Sequence, residues 1–284
     1  VYKRQGQHLT IIDSRFTENE TSGYGGGLGV ENSDVTISDT VFSENAAGAG
    51  GGGLASRDLA TVSLQHVQVS DNTASTNGAG ISIQDTDLVV DGSTVSGNVA
   101  TGPGGGIRAG GTSSLEVTSS TISGNHADAN GGGLYLTNFY GVFVGNSTVS
   151  GNEAVVGGAM VVGIFTQATI VSSTVTANRL AGPHLPQPVG GIVVAGGTMP
   201  TCVMTAGSEV APAACSNDGI ITVTGSIVAG NQDADFGGWM GASVTIEADH
   251  SLLGQFDAAE VSVVDAGGSH HGVTATQLAL GPLA

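Results

Sequence analysis

Positive charge is what this chain has least of: six Lys and Arg stand against 24 Asp and Glu in 284 residues, a formal charge of −18. So acidic a surface excludes binding to nucleic acid through phosphate contacts, which require cations to displace counterions. Aromatic residues make up 4% and there is one tryptophan, so large rings cannot fill the core. No run of 18 apolar residues occurs, which leaves no membrane-spanning helix in this stretch of chain. Basic-then-apolar patterning of a signal peptide is also missing from the N-terminus, and residues 1–5, VYKRQ, read as a sequencing or cloning scar. Cysteine is scarce too. Cys202 and Cys215 are candidates for one disulfide in an oxidising compartment, with two free thiols as the alternative.

What the chain has in excess is glycine, 48 residues, which disfavours helix, and a repeat. The marker asparagines Asn19, Asn45, Asn72, Asn98, Asn125, Asn152 and Asn178 are separated by 26 or 27 residues, and Asn231 follows after 53, two periods on. Each of the earlier markers precedes a glycine cluster. Three residues before each marker the side chain is apolar, from Phe16 and Phe42 through Ile122 to Val228, and so it is at eight and ten residues before. A fourth apolar column, nine residues after the marker, runs Leu28, Leu54, Ile81, Ile107 and Leu134. Alternation of branched apolar residues with Thr or Ser is the period of a half-buried strand. The spacing predicts short strands of three to five residues joined at corners, each coil supplying about four inward side chains. One coil cannot bury its own apolar row, so coils must stack in parallel.

Two rival solenoids fail on the residues. A leucine-rich repeat would need a leucine-dominated strand and a helical return, whereas these columns are rich in Val and Ile and the return is GGG. The calcium-binding G-G-x-G-x-D nonapeptide does not occur. The expected fold is therefore all-β: a right-handed single-stranded parallel β-helix of about nine coils, forming one domain over 6–284. An insertion is expected at about 181–219 and a less regular end from about 235. The marker asparagines are expected at a corner, tolerating left-handed geometry and bonding to each other between coils.

The segments STISGNHADANGGGLYL (120–136) and STVSGNVATGPGGGI (93–107) resemble repeats of pectate-lyase-like β-helix proteins and of polymorphic outer-membrane proteins. SIVAGN (226–231), HSLLG (250–254) and LGPLA (280–284) resemble the bacterial choice-of-anchor β-helix proteins. That resemblance implies an extracellular or cell-surface location and a chain continuing beyond both ends to a sorting signal. It does not specify an activity.

Equal offsets from the marker become neighbours once coils stack. Offsets +10 and +12 thereby gather Glu31, Arg57, Gln84, Arg108 and Tyr135 on one outer face, a candidate platform for polysaccharide or cell-surface glycan. Glu18, Glu44 and Asp71, just before their markers, form a carboxylate column for which calcium is the candidate cation. Asp13, Asp39 and His66 at offset −6 could supply acid, base and orienting group for glycoside hydrolysis. The functional expectation is a monomeric binding, adhesion or presentation protein. The alternatives are a polysaccharide lyase or glycosidase of the β-helix class and a passive stalk.

Overall fold

The computed structural model describes residues 8–111, 114–137, 141–163, 166–182, 189–195, 201–202, 215–216, 219–231, 234–239, 244–256, 261–270 and 272. Every regular element among them is a strand. Parallel pairing in constant register joins each coil to the next, as in Leu9↔Val35↔Val62↔Leu88↔Leu115↔Val142↔Ala168↔Ile221. The result is the expected parallel β-solenoid. Nine strands stack on one face but seven on another, so about seven turns are complete on every face, fewer than the nine coils expected, because among the described residues the last coils lack a strand on the shorter face. No helix of the described residues is long and apolar enough to cross a membrane.

Two features differ from the periodic expectation. The strands Leu54–Gln65 and Ile81–Asp91 run for 12 and 11 residues across a corner instead of stopping there. Asp58 and Asp85 take φ of 68° and 52° at that corner, so the chain bends while its ladder continues on both sides. The excursion expected at about 181–219 also contains an in-register strand, Ile192–Ala195, pairing with Met160–Val162 and Phe236–Trp239. Beyond it, Thr201–Cys202 and Cys215–Ser216 form an antiparallel pair with Cys202 opposite Cys215. The side chains of both cysteines lie outside the described residues.

Inside the coils, the four apolar columns form one continuous core. Phe42 is fully buried and stacks on Phe16 at 4.7 Å, and Phe236 stacks on Phe256 at 5.7 Å near the other end. The marker asparagines from Asn45 to Asn178 are also fully buried. Each Oδ1 accepts both the backbone N–H and the Nδ2 of the asparagine one coil earlier: Asn98 Oδ1 accepts from Asn72 at 3.0 and 2.9 Å. Each Nδ2 also donates to the carbonyl of the previous coil's apolar column, as Asn98 does to Val69 at 3.0 Å. That satisfies a polar group which would otherwise be costly to bury.

The asparagines themselves are not left-handed. Positive φ falls on the residue before each one, Glu18, Glu44, Asp71, Gly97, Gly124, Gly151, Ala177 and Gly230. The turn is thereby made before the amide enters the interior, and the asparagine keeps ordinary geometry. Glycine is required where the next side of the coil passes over the ladder: a Cβ at Gly106 would lie 2.7 Å from the Gly133 carbonyl and 3.0 Å from Asn125 Nδ2. The two repeating signatures are thus one device, a buried amide and the hole it occupies.

A second ladder runs up another corner. The backbone N–H groups of Val67, Ser93, Ser120, Ser147 and Ser173 donate to the hydroxyls of Ser93, Ser120, Ser147, Ser173 and Ser226 at 2.9–3.1 Å. These serines recur two residues before the inward column of Val95, Ile122, Val149, Val175 and Val228, and their burial follows from the corner and not from apolar periodicity.

Candidate functional site

The outer columns come together as their offsets require. Five strands build the face: β1 (Leu28–Glu31), β2 (Leu54–Gln65), β3 (Ile81–Asp91), β4 (Ile107–Gly110) and β5 (Leu134–Thr137). Gly29, Ala55, Ser82, Arg108 and Tyr135 stand in one row, and Glu31, Arg57, Gln84, Gly110 and Thr137 in the next. Small residues at the start of the first row leave a hollow that the longer side chains wall. The cleft has a volume of about 230 Å³ and is lined by Tyr24, Ser56, Arg57, Asn77, Ser82, Gln84 and Arg108.

Its wall groups are fixed by one another. Arg57 Nη2 donates to Glu31 Oε1 at 2.6 Å, and its guanidinium lies 4.4 Å from the centroid of the Tyr24 ring. Arg108 Nη1 donates to the Ile83 carbonyl at 3.1 Å and to Gln84 Oε1 at 2.8 Å. Gln84 Nε2 continues to Asp85 Oδ2 at 3.1 Å, and the Ser82 hydroxyl donates to Asn77 Oδ1 at 3.2 Å. At the base, Ser56 is fully buried with its hydroxyl 3.3 Å from that of Thr86. Partial burial pushes the Arg108 guanidinium below its ordinary pKa, against the opposing pull of Tyr135, Tyr24 and Asp85.

The register brings Glu31, Arg57, Gln84, Arg108 and Tyr135 onto one face as the offsets require; Arg57, Gln84 and Arg108 line the cleft, while Glu31 and Tyr135 stand outside its lining. Tyr135 borders Arg108 without lining the cleft; it packs against an outer apolar cluster of Val156, Val161, Val189, Val193 and Ala234. The cleft's ring belongs to Tyr24. It shares offset +5 with Asn77, within turns otherwise made of small residues, and that departure was the available signal.

The other two candidate columns lie elsewhere. Glu18, Glu44 and Asp71 are exposed left-handed corner residues. Among the described residues no three His, Cys, Asp or Glu side chains gather as a metal ion would need. Asp13, Asp39 and His66 also occupy left-handed corners, continued by Gly92, Ser119, Asn146, Ser172, Gly225 and His250. His66 Nδ1 stands 3.8 Å from Asp39 Oδ1, with both side chains more than half exposed. These rows answer a backbone requirement at exposed corners.

The fold defines the class, a parallel β-solenoid with a polar cleft on one outer face. More specifically, residues 65–247 match the family described as the right-handed β-helix region, and the chain belongs to it. No curated protein and no solved structure matches the chain.

Proposed function

We propose that this β-helix is a secreted or cell-surface binding protein that holds a glycan in the cleft over β1 to β4. The observation that carries this reading is the cleft itself, where guanidinium, hydroxyl and amide groups of the strands meet the Tyr24 ring and the Asn77 amide from the neighbouring turns. Sugar hydroxyls call for such a mixture: neutral donors and acceptors to fix orientation and a ring or guanidinium plane for the apolar sugar face. The resemblance to surface β-helix proteins supports the location.

The test is to pass a panel of neutral and acidic polysaccharides over the immobilised chain, reading both retention and unsaturated or shortened products. Retention without products is the expected result, with loss of retention on combining Asn77→Ala and Gln84→Ala. Product formation would move the assignment to a lyase or glycosidase.

A further inference from the structure

Away from the cleft, the nine-stranded sheet has an outer side on which consecutive coils carry nearly the same residues. The strands Thr94–Ser96, Thr121–Ser123, Thr148–Ser150 and Thr174–Thr176 read TVS, TIS, TVS and TVT, and they pair one to one without a register shift. The central Val or Ile of each is buried in the core, so the residues on either side of it face outward. Thr94, Thr121, Thr148 and Thr174 thus form one rank, and Ser96, Ser123 and Ser150 a second. All are partly exposed, and among the described residues none of their hydroxyls bonds to another protein group. Thr176 ends the second rank with a buried hydroxyl that is equally unpartnered among the described residues, a donor and acceptor left for a bound species.

The scaffold does not require this uniformity. In the first rank the earlier coils carry Arg15, Val41 and Gln68, and the next one carries Ile227. Second-rank hydroxyls of the earlier coils are engaged within the protein, Thr17 with Ser43 at 3.3 Å and Ser70 with Gln68 Nε2 at 3.1 Å. The corners on both sides change at the same coil. Left-handed backbone is kept throughout, yet Asp13, Asp39 and His66 give way to Gly92, Ser119, Asn146 and Ser172 on one side. On the other, Glu18, Glu44 and Asp71 give way to Gly97, Gly124, Gly151 and Ala177. In a chain of net charge −18, the segments 92–97, 119–124, 146–151 and 172–177 that build this side carry no charge.

Hydroxyls of one rank stand about 4.8 Å apart from coil to coil, and the two ranks roughly 6.6 Å apart along a strand. They make a lattice of neutral groups that both donate and accept, with a methyl group beside each threonine hydroxyl. A small solute has no use for such repetition, and a charged polymer finds no counter-charge. Crystalline water matches on each count: it is neutral, every oxygen both donates and accepts, and its repeat along the a axis of hexagonal ice is close to the coil spacing.

We propose that this side of the solenoid binds the surface of ice. The threonine methyls order the water beside them, the hydroxyls anchor that water, and the contacts act together because one rigid stack of coils presents them all. The site lies on a different sheet from the cleft and does not depend on the glycan reading.

The experiment is slow growth of ice in a dilute solution of the intact chain, measuring the fraction carried into the ice against serum albumin as a protein that ice excludes. Several-fold enrichment over albumin is expected, together with faceting of single ice crystals held just below their melting point. Thr121→Lys combined with Thr148→Lys, in the middle of the array, should abolish both. Gln68→Lys, in the same rank but one coil before the array begins, should leave both unchanged, and melting temperatures check that each variant is folded. The wild-type measurement needs no variant, so misfolding of the double variant would leave the test intact. Exclusion of the wild type to the same extent as albumin overturns the proposal, and so does undiminished incorporation of the folded double variant. Loss of incorporation in folded Gln68→Lys would overturn the placement on these coils.

Discussion

The asparagine column and the outer columns over the cleft climb the same coils in the same register, yet one is uniform and the other changes at every step. From Asn45 to Asn178 the inner column does not vary, because each amide must accept from the coil before and donate to the coil after. The outer row passes from Glu31 to Arg57 to Gln84 to Gly110. Nothing in the backbone demands those residues, so their identities are available for recognition. Repetition here marks what the fold needs, and departure from repetition marks where a ligand can be held.

Breaking the uniform column should have the largest effect. Asn98→Ala removes the acceptor of the Asn72 N–H and Nδ2 and the donor to Val69, all in the interior. With buried unsatisfied groups costing about 1–3 kcal/mol each, a loss of about 4 kcal/mol is expected in denaturant unfolding. Gly106→Ala forces a methyl group against the Gly133 carbonyl and the Asn125 amide, and should cost about 2 kcal/mol by the same measurement.

The ladder also has a chemically distinct end. Asn231 donates its N–H and Nδ2 to Asp235 Oδ1 at 2.9 and 2.7 Å, while Asp235 Oδ2 accepts the Gln255 N–H at 2.7 Å. A row of amides that accept on one side and donate on the other must stop at a group that accepts on both, and a carboxylate does. Asp235→Asn would turn an amide N–H toward the Gln255 N–H, at a cost of about 1–3 kcal/mol. Burial pushes the Asp235 carboxyl above its ordinary pKa, although hydrogen bonds from Asn231 and Gln255 oppose the shift. The folded chain therefore keeps this proton at pH values where the unfolded chain has released it. The contribution is fully present below the ordinary carboxylate pKa and is lost as pH rises through the elevated one. Thermal melts across that window should show the decline in the wild type and its disappearance in Asp235→Asn.

At the varied outer row the stability effects should be smallest. Arg57→Ala breaks a pair with Glu31 whose two side chains are 38% and 27% exposed, so less than about 1 kcal/mol is at stake. A loss several times larger would mean that the cleft face helps hold the coils together, and the contrast between the columns would weaken.

The physical reason for this contrast also decides how much could be read from the residues. Val62, Leu88, Leu115 and Val142 announce strands, parallel stacking and register because burial is periodic and leaves few alternatives. The offsets then place Arg57 beside Glu31 and Gln84. Three things were not legible. The Asn125 amide sits inside and the turn precedes it, a division of labour that a single polar letter does not reveal. Tyr24 reaches the cleft from the glycine turn, whose path depends on the corner's φ values, not on side-chain period. Tyr135 stands in the predicted row but packs against an apolar cluster that includes Val161 and Val193, which come from later coils.

The most direct measurement of the separation between scaffold and site is glycan affinity of the Asn77→Ala, Gln84→Ala double variant at a melting temperature matched to the wild type. Both side chains line the cleft and neither belongs to the interior ladders. The account predicts that binding is lost while melting is unchanged. Undiminished binding would contradict it, because the varied outer row would then carry no recognition.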